Sequence, residues 1–519
     1  MEIVENRALL FETEDPRLIT DIIEKSAVVS SDRSKYKVLV RWGLEEAQTL
    51  ARLEHKDTPS PILRDYKWTG KLTPFEHQKT TASFLTLRKR AFCFNEQGTG
   101  KTASVIWAAD YLMKQGLVKR VLVLCPLSIM KSAWQQDLFK FAMHRSCGVA
   151  HGTATQRAAV VNSGAEFVVI NFDGLSVIKE QIISGGFDLI VVDEANAYKN
   201  PQTNRWKVLN ELVKTNDPRL WMLTGTPAAQ SPLDAFGLAK LVNPDKSPKY
   251  YSYFRADTMY QLTKFKWMPK PTAPEYVHNI LQPAIRFEKK DCLDLPEVTY
   301  MDREAPLTPQ QAKYYKQLTS ELLVEADGEE ISAVNAAVKI NKLLQISGGA
   351  AYSDTGEVIE FDVSNRLNTV LEVIAEASNK VLVFVPFTHT IELLRTKLEK
   401  EGITCGVING KVSVNKRSEL VDKFQTDKDP HVLIIQPQAA SHGLTLTAAD
   451  TIIWYAPVPS VETYLQANAR INRPGQKNAM TVVHIKGSEV EGRLYSLLRS
   501  NINNHERIID LYRDLLNTP

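Results

Sequence analysis

One recurring unit constrains this chain more than any other feature. A short apolar run, without polar alternation, ends in small or polar residues and leads into a stretch with helical spacing. RAFCFN, RVLVLCP, EFVVINF, FDLIVVDE and LWMLTGTP, all between Arg90 and Pro227, have this form. A strand that alternates buries one face. A strand that does not is covered on both, as in a parallel sheet whose crossovers are helices. The stretch TASVIWAADYLMKQG, stopped by a glycine, is one such crossover. The unit returns at NKVLVFVPF and continues through GITCGVING, HVLIIQPQ, DTIIWYAP and AMTVVHIK. The expectation is an α/β chain with two parallel-sheet lobes in tandem. Ligands in such sheets sit at the carboxyl ends of the strands, where these polar tails gather.

The remaining segments frame the lobes. Residues 1–70 hold an alternating strand, KYKVLVRW, a helix, GLEEAQTLARL, and the proline-punctuated TPSPILRDYKWTG, which reads as a linker. They are expected to form a small accessory α+β domain. The first lobe then covers residues 71–245. Residues 246–363 break the pattern with KSPKYYSYFR, KWMPKPTAPEY and a long polar helix around QQAKYYKQLTSELLVEA, and read as an inter-lobe helical insertion. The second lobe covers 364–490. Within 491–519, GRLYSLLRSNINNHERIIDLYRDLL has apolar residues at helical spacing and is expected to pack back as a helix.

Composition excludes several classes. A net charge of +3 over 519 residues is too small for a generally basic nucleic-acid binder, so such binding needs a local patch. The five cysteines, Cys93, Cys125, Cys147, Cys292 and Cys405, show no CxxC spacing and read as reduced thiols. No apolar run approaches about 18 residues, so no membrane span is expected. The start, MEIVENRALLFETEDP, lacks the basic head and apolar core of a signal peptide. The expected location is cytoplasmic.

Chemistry-bearing residues fall at the strand ends. FNEQGTGKT, from Phe94 to Thr102, ends like a phosphate-binding loop but has Asn95 where the pattern has glycine. Asn tolerates a left-handed backbone better than most residues, so the loop is still expected to form. Gly98, Thr99 and Gly100 would let backbone N–H groups curl around phosphates at a helix N-terminus. Lys101 would hold the β- and γ-phosphates and Thr102 a magnesium ion. The alternative is a chance GKT in a loop. FDLIVVDEAN ends in adjacent acids: Asp193 suits magnesium, and Glu194 suits orienting and deprotonating water. Read alone, the same pair is a surface turn. LTGTPAAQSPLD places small hydroxyl residues at a further strand end, where they also suit a turn and cap. QANARINRPGQ places Arg470 and Arg473 three apart, on one face if the segment is helical. They read either as a solvated basic face or as fingers for the γ-phosphate.

In order, these and neighbouring stretches resemble a known family. They are Gln78 in LTPFEHQ, GTGKT, CPLSIMKSAW, VVINFDGL, DEAN, LTGTPAAQSPLDAF, VLVFVPFT, INGKVSVNKRSELVDKF, HGLTLTAAD and QANARINRPGQ. The set is similar to Swi/Snf-type ATPases of helicase superfamily two, nearest to compact phage and bacterial members, over residues 72 to about 490. LQPAIRFEKKDCLDLP also resembles the segment those proteins carry between their lobes. The resemblance implies two RecA-like lobes using ATP and Mg2+. It implies that Gln78 reads adenine, that Thr224 and Thr226 couple hydrolysis to DNA contacts, and that Arg470 and Arg473 complete the site from the second lobe. Pro126, Leu127 and Ser128 would touch the DNA backbone from one lobe, and Gly443, Leu444 and Thr445 from the other. DEAN stands where the family carries DEGH or DEAH, and ASHGLTLTAAD lacks its double glycine.

The function so implied is a monomeric ATP-dependent translocase on double-stranded DNA, forked or branched DNA included. In a phage-encoded case it would act in the bacterial host cytoplasm. Remodelling, protein displacement, annealing or branch migration are its outputs. The alternatives are a strand-separating DNA or RNA helicase, the translocase subunit of a restriction-type system, and a nucleotide-gated DNA-binding scaffold that hydrolyses weakly.

Overall fold

A computed structural model describes residues 1–500 except 33–34, 54, 56, 71, 226, 229–230, 263–266, 327–332, 353–357 and 441–443. The chain divides into two compact units. Met1–Ala228 with Pro232–Cys292 form the first, and Ala229–Ser231 with Leu293–Pro519 the second.

The first unit is built on a seven-stranded sheet. Its order is Ala284–Ile285, Arg90–Cys93, Arg219–Leu223, Leu189–Asp193, Val121–Cys125, Phe167–Asn171, Cys147–Ala150, and every neighbouring pair is parallel. The central strands Val121–Cys125 and Leu189–Asp193 are buried at every residue. This explains their unalternating sequences: successive side chains enter opposite cores. Leu122, Leu124, Ile190 and Val192 enter one. Val121, Val123, Leu189 and Val191 enter the other.

The second unit repeats the plan with six strands, all parallel. Their order is Val298–Glu304, Met480–Lys486, Ala449–Trp454, Lys380–Phe384, Val432–Ile435, Cys405–Ile408. Two covering helices, Ser364–Glu376 and Glu489–Arg499, are joined by a buried ion pair. Arg366 Nη2 donates to both Glu491 oxygens at 2.9 and 2.8 Å. A helix, Glu489–Arg499, opens the C-terminal segment expected over 491–519, and residues 501–519 lie outside the described residues.

The boundaries differ from the sequence reading in two places. The insertion assigned to 246–363 is shared out: Ala284–Ile285 extends the first sheet beside Phe92 and Cys93, and Val298–Glu304 extends the second beside Met480–Lys486. The two-residue strand carries too little periodicity to be seen in sequence, and VTYMDRE, exposed or half-buried throughout, has no apolar run to mark it. The stretch TPSPILRDYKWTG is also no loose linker. Ile62 and Tyr66 are buried, and the Ser60 N–H donates to Ser83 Oγ at 2.9 Å. Tyr66 Oη donates to buried Asp110 at 2.7 Å, on the helix that follows the phosphate loop. Burial alone would raise the Asp110 carboxyl. Hydrogen bonds from Tyr66, Arg145, Lys114 and His144 outweigh it and bring the pKa down to about 2.

Residues before that stretch form an antiparallel four-stranded sheet, order Glu2–Val4, Ala8–Thr13, Lys35–Arg41, Ser26–Asp32. Leu9, Phe11, Val38 and Val40 pack on Ile19, Ile23, Trp42 and Leu50. Gln48 Nε2, on the helix Leu44–Arg52, donates to Thr86 O at 2.9 Å, tying this helix to the helix Glu76–Thr86 within the same unit. No helix among the described residues is long and apolar enough to cross a membrane.

Candidate functional site

The phosphate loop joins the strand Arg90–Cys93 to the helix Lys101–Lys114. Gly98 and Gly100 have φ of +87° and +80°, a region that favours glycine. Gly100 has a second reason to lack a side chain: a Cβ there would lie 2.1 Å from Gln78 Nε2. Gln78 is buried on the helix Glu76–Thr86. Its Nε2 donates to Thr99 O at 3.1 Å, and its Oε1 accepts the Phe75 N–H at 3.1 Å. His77 Nε2 lies 2.8 Å from the same Thr99 carbonyl. Thr99 is buried, and its hydroxyl donates to Glu96 O at 2.7 Å.

Asn95 departs from expectation. Its backbone is not left-handed. The side chain acts as a pin: Nδ2 donates to Thr81 Oγ1 at 2.8 Å, and Oδ1 accepts the Phe287 N–H at 3.0 Å. Asparagine here holds the start of the loop between a helix and the added edge segment, which a glycine could not do. Lys101 Nζ donates back to Asn95 O at 2.8 Å and Glu96 O at 3.3 Å, so its ammonium lies within the loop's own curve. Thr102 follows it in the first turn of the helix, partly buried.

Strand order brings the acids to the same edge. Leu223 is in register with Cys93 on one side and Asp193 on the other. The residues that follow all three strands therefore share one rim. Asp193 is buried; its Oδ1 accepts the Glu194 N–H at 3.0 Å and its Oδ2 the Trp134 indole N–H at 2.9 Å. Burial pushes its carboxyl above the usual range, opposed by the Lys101 charge and these two hydrogen bonds. Glu194 takes φ +53° and ψ +55°, a left-handed backbone at a non-glycine residue. Strain of this kind costs about 1–3 kcal/mol and gathers at functional sites. Asn196 lies in the short turn Ala195–Tyr198 that follows. Thr224 is buried, with its N–H donating to Cys93 O at 3.1 Å. Thr226 lies outside the described residues.

These groups fit ATP and magnesium. The loop offers glycine backbone at a helix N-terminus for phosphates. Asp193 and Thr102 offer the hard oxygen donors magnesium takes.

The rim carries one more segment. After the strand Val121–Cys125, Pro126 leads into a 3-10 turn, Leu127–Ile129, and then a π-helical turn, Met130–Gln135. Leu127 is 47% exposed, so the front of this segment is open to a ligand. Its end is not: Trp134 is buried and reaches Asp193. Sequence reasoning missed this residue's part, although the tryptophan closing CPLSIMKSAW was the available signal.

In the second unit the helix Val461–Asn468 ends before either arginine. Arg470 and Arg473 therefore lie in turns, not on a shared helix face, because proline and glycine follow at 474–475. Arg470 is buried, and donates to Gln466 O at 2.8 Å and Leu444 O at 3.3 Å. Arg473 is half-buried; it donates to Ala469 O at 3.0 Å and Thr445 Oγ1 at 3.1 Å. The two arginines thus brace the segment expected to grip DNA. Within it Thr445 is exposed, Leu444 is turned into the core, and Gly443 lies outside the described residues.

A phosphate loop, a strand-end acid pair and a parallel sheet, followed by a second parallel-sheet unit, define a nucleotide-binding core of the helicase type. The description "SNF2-related domain" matches residues 77–350, and "Helicase conserved C-terminal domain" matches 365–475. The chain belongs to the SNF2-related family, whose core uses ATP. An uncharacterized ATP-dependent helicase of Mycoplasma genitalium is 26% identical over 400 residues, 75% of this chain and 37% of that protein. The ATP-dependent DNA helicase DDM1 of Arabidopsis thaliana is 26% identical over 445 residues, 78% of this chain and 58% of that protein. The chain thus spans less than two thirds of either relative. Among solved structures, the Sulfolobus solfataricus SWI2/SNF2 ATPase core in complex with dsDNA is 24% identical with a TM-score of 0.42. That match covers 83% of this chain and 92% of the other.

Proposed function

We propose that this protein hydrolyses ATP with magnesium to move along double-stranded DNA without separating its strands. One observation carries the reading: the phosphate loop, Asp193 and the exposed turn after Pro126 share one rim, and Trp134 ties the last two together. Such a link suits a machine in which DNA contact and nucleotide chemistry are coupled. The name of the Arabidopsis relative, a DNA helicase, points to the same polymer.

ATP and magnesium, when bound, supply the phosphoryl group and the charge that offsets it. The chain's own residues do the rest. Gln78 orients the adenine, and the Gly98–Thr102 loop binds phosphates. Lys101 leaves its loop carbonyls for the β- and γ-phosphates. Asp193 and Thr102 hold magnesium. Glu194 orients a water and takes its proton. Thr224 and Thr226 relay the state of the site to the DNA. Arg473 is the finger that stabilises γ-phosphate charge during turnover, while buried Arg470 keeps the 444–446 segment in place. Pro126, Leu127 and Ser128 grip the DNA backbone from the first unit, and Gly443, Thr445 and the Leu444 backbone from the second. The protein acts as a monomer in the cytoplasm, and forked or branched duplexes are among its substrates. Backbone gripping is largely indifferent to sequence and weakens with salt.

A triplex-displacement assay tests this. A labelled third strand is annealed to a duplex, and its ATP-dependent release is followed beside strand separation of a forked duplex. Third-strand release without duplex opening is expected. Fork opening with the triplex untouched would replace the translocase with a strand-separating helicase.

A further inference from the structure

Outside the nucleotide rim, the first unit carries an aromatic and basic surface that the proposed chemistry leaves unused. The helix Tyr251–Thr258 is anchored by Phe254, which is fully buried beside Phe236. The tyrosines around that anchor point outward. Tyr250, Tyr251 and Tyr253 are 52%, 43% and 60% exposed. Rings of this size normally gain about 1.5–3 kcal/mol by burial. Tyr251 also packs edge-on against Phe236, ring centroids 5.5 Å apart, so Tyr250 and Tyr253 are the two rings that form a surface the fold itself does not require.

Their geometry and company narrow the partner. The Tyr250 and Tyr253 ring centroids lie 5.6 Å apart at 79°, so one ring presents a flat face beside the edge of the other. Lys249 Nζ lies 5.3 Å from the Tyr250 ring centroid. The stretch Lys246 to Tyr253, KSPKYYSY, holds two lysines and no acid. The flanking acids are Asp245, which adjoins Lys246, and Asp257, which accepts a hydrogen bond from Tyr276 Oη at 3.2 Å. Protein-binding surfaces are enriched in tyrosine but depleted in lysine. Tyrosines interleaved with lysines instead match unpaired nucleotides, whose bases stack on rings while phosphates meet ammonium groups.

We infer that Tyr250 and Tyr253, with Lys249, form a stacking site for single-stranded DNA, separate from the duplex grip. This goes beyond translocation: it supplies a contact for the unpaired arm of a forked or gapped substrate. The bases are read by their faces, so the site has little sequence preference.

The experiment uses the full chain, a fluorescein-labelled 15-nucleotide single strand, the matching duplex, and a strand carrying 2-aminopurine. Parent, Tyr250→Ala/Tyr253→Ala and Tyr250→Phe/Tyr253→Phe are compared by anisotropy, with 2-aminopurine quenching as the report of stacking. Single-strand affinity is expected to fall about tenfold or more in the alanine variant, the scale of losing one stacked base. Quenching should be lost with it, while the phenylalanine variant keeps both and duplex affinity stays within about twofold. The inference is overturned by a parent that does not bind the single strand, or by an alanine variant that binds it as the parent does. Equal losses on single strand and duplex overturn it too. So does intact oligonucleotide binding with an altered oligomeric state, which would make the patch a protein interface. Duplex-stimulated ATP hydrolysis, measured in parallel, tests the motor reading alone, because neither tyrosine belongs to that site.

Discussion

Trp134 Nε1 donates to Asp193 Oδ2 at 2.9 Å, and both side chains are buried. The tryptophan sits on the π-helical turn Met130–Gln135, which follows the 3-10 turn Leu127–Ile129 directly. Single π turns recur at functional sites. Trp134 thus fixes one oxygen of the acid proposed to hold magnesium, while Leu127 at the front of the same segment is exposed.

Trp134→Phe should keep most of the buried ring and lose the donor. Removing such an outer partner typically weakens a metal site about 10–100-fold. The magnesium dependence of ADP binding, followed by calorimetry, should shift by that order, with the circular dichroism spectrum unchanged. An unaltered magnesium dependence would leave Trp134 as core packing only.

Glu194→Gln should bind ATP and magnesium but hardly turn over. The amide has the same shape but takes no proton from water. Hydrolysis at the parental rate would move the base to another residue.

The two arginines should separate by readout. Arg473→Lys loses the planar fork and should lose about 10³–10⁵ in stimulated rate, with nucleotide affinity nearly intact. Arg470→Lys should act through the fold, since its guanidinium holds Gln466 O and Leu444 O. A lower melting temperature is its expected mark. If Arg473→Lys stays within about twofold of the parent, far inside the range a finger allows, Arg473 leaves the site.

His484 gives the second unit a pH dependence. Arg499 has only donors, so Nδ1 accepts from it at 2.7 Å and Nε2–H is left to donate to Tyr464 Oη at 2.9 Å. Burial first, and the Arg499 charge second, lower the imidazole from 6.5 to about 4, with Asp302 opposing. A depressed pKa adds stability that is full above 6.5 and is lost as pH falls toward 4. The shift corresponds to about 3 kcal/mol. Denaturation midpoints of the parent should fall between pH 7 and 4.5 more steeply than those of His484→Gln. Parallel curves would remove His484 as a source of that slope.

The sequence carried the sheets because strands buried on both faces do not alternate, and runs such as FDLIVVDE and HVLIIQPQ are too short for helices and rich in β-branched residues. It carried the phosphate loop because glycine and lysine spacing is local. It did not carry Asn95's role, since Thr81 and Phe287 meet it only in the fold. Trp134 was missed for the same reason: 59 residues separate it from Asp193. The arginines' helix failed at Asn468, where local turn residues overrode the three-residue spacing. Edge strands such as Ala284–Ile285 are set by the strand they join rather than by their own pattern.

The most direct measurement of the central claim is the steady-state ATPase rate with no nucleic acid, single-stranded DNA, duplex DNA and RNA, at two salt concentrations. Glu194→Gln serves as the blank. A duplex DNA motor predicts that duplex raises the rate most, that unrelated duplexes do so equally, and that stimulation fades as salt rises. A rate indifferent to duplex, or raised by RNA alone, would contradict it.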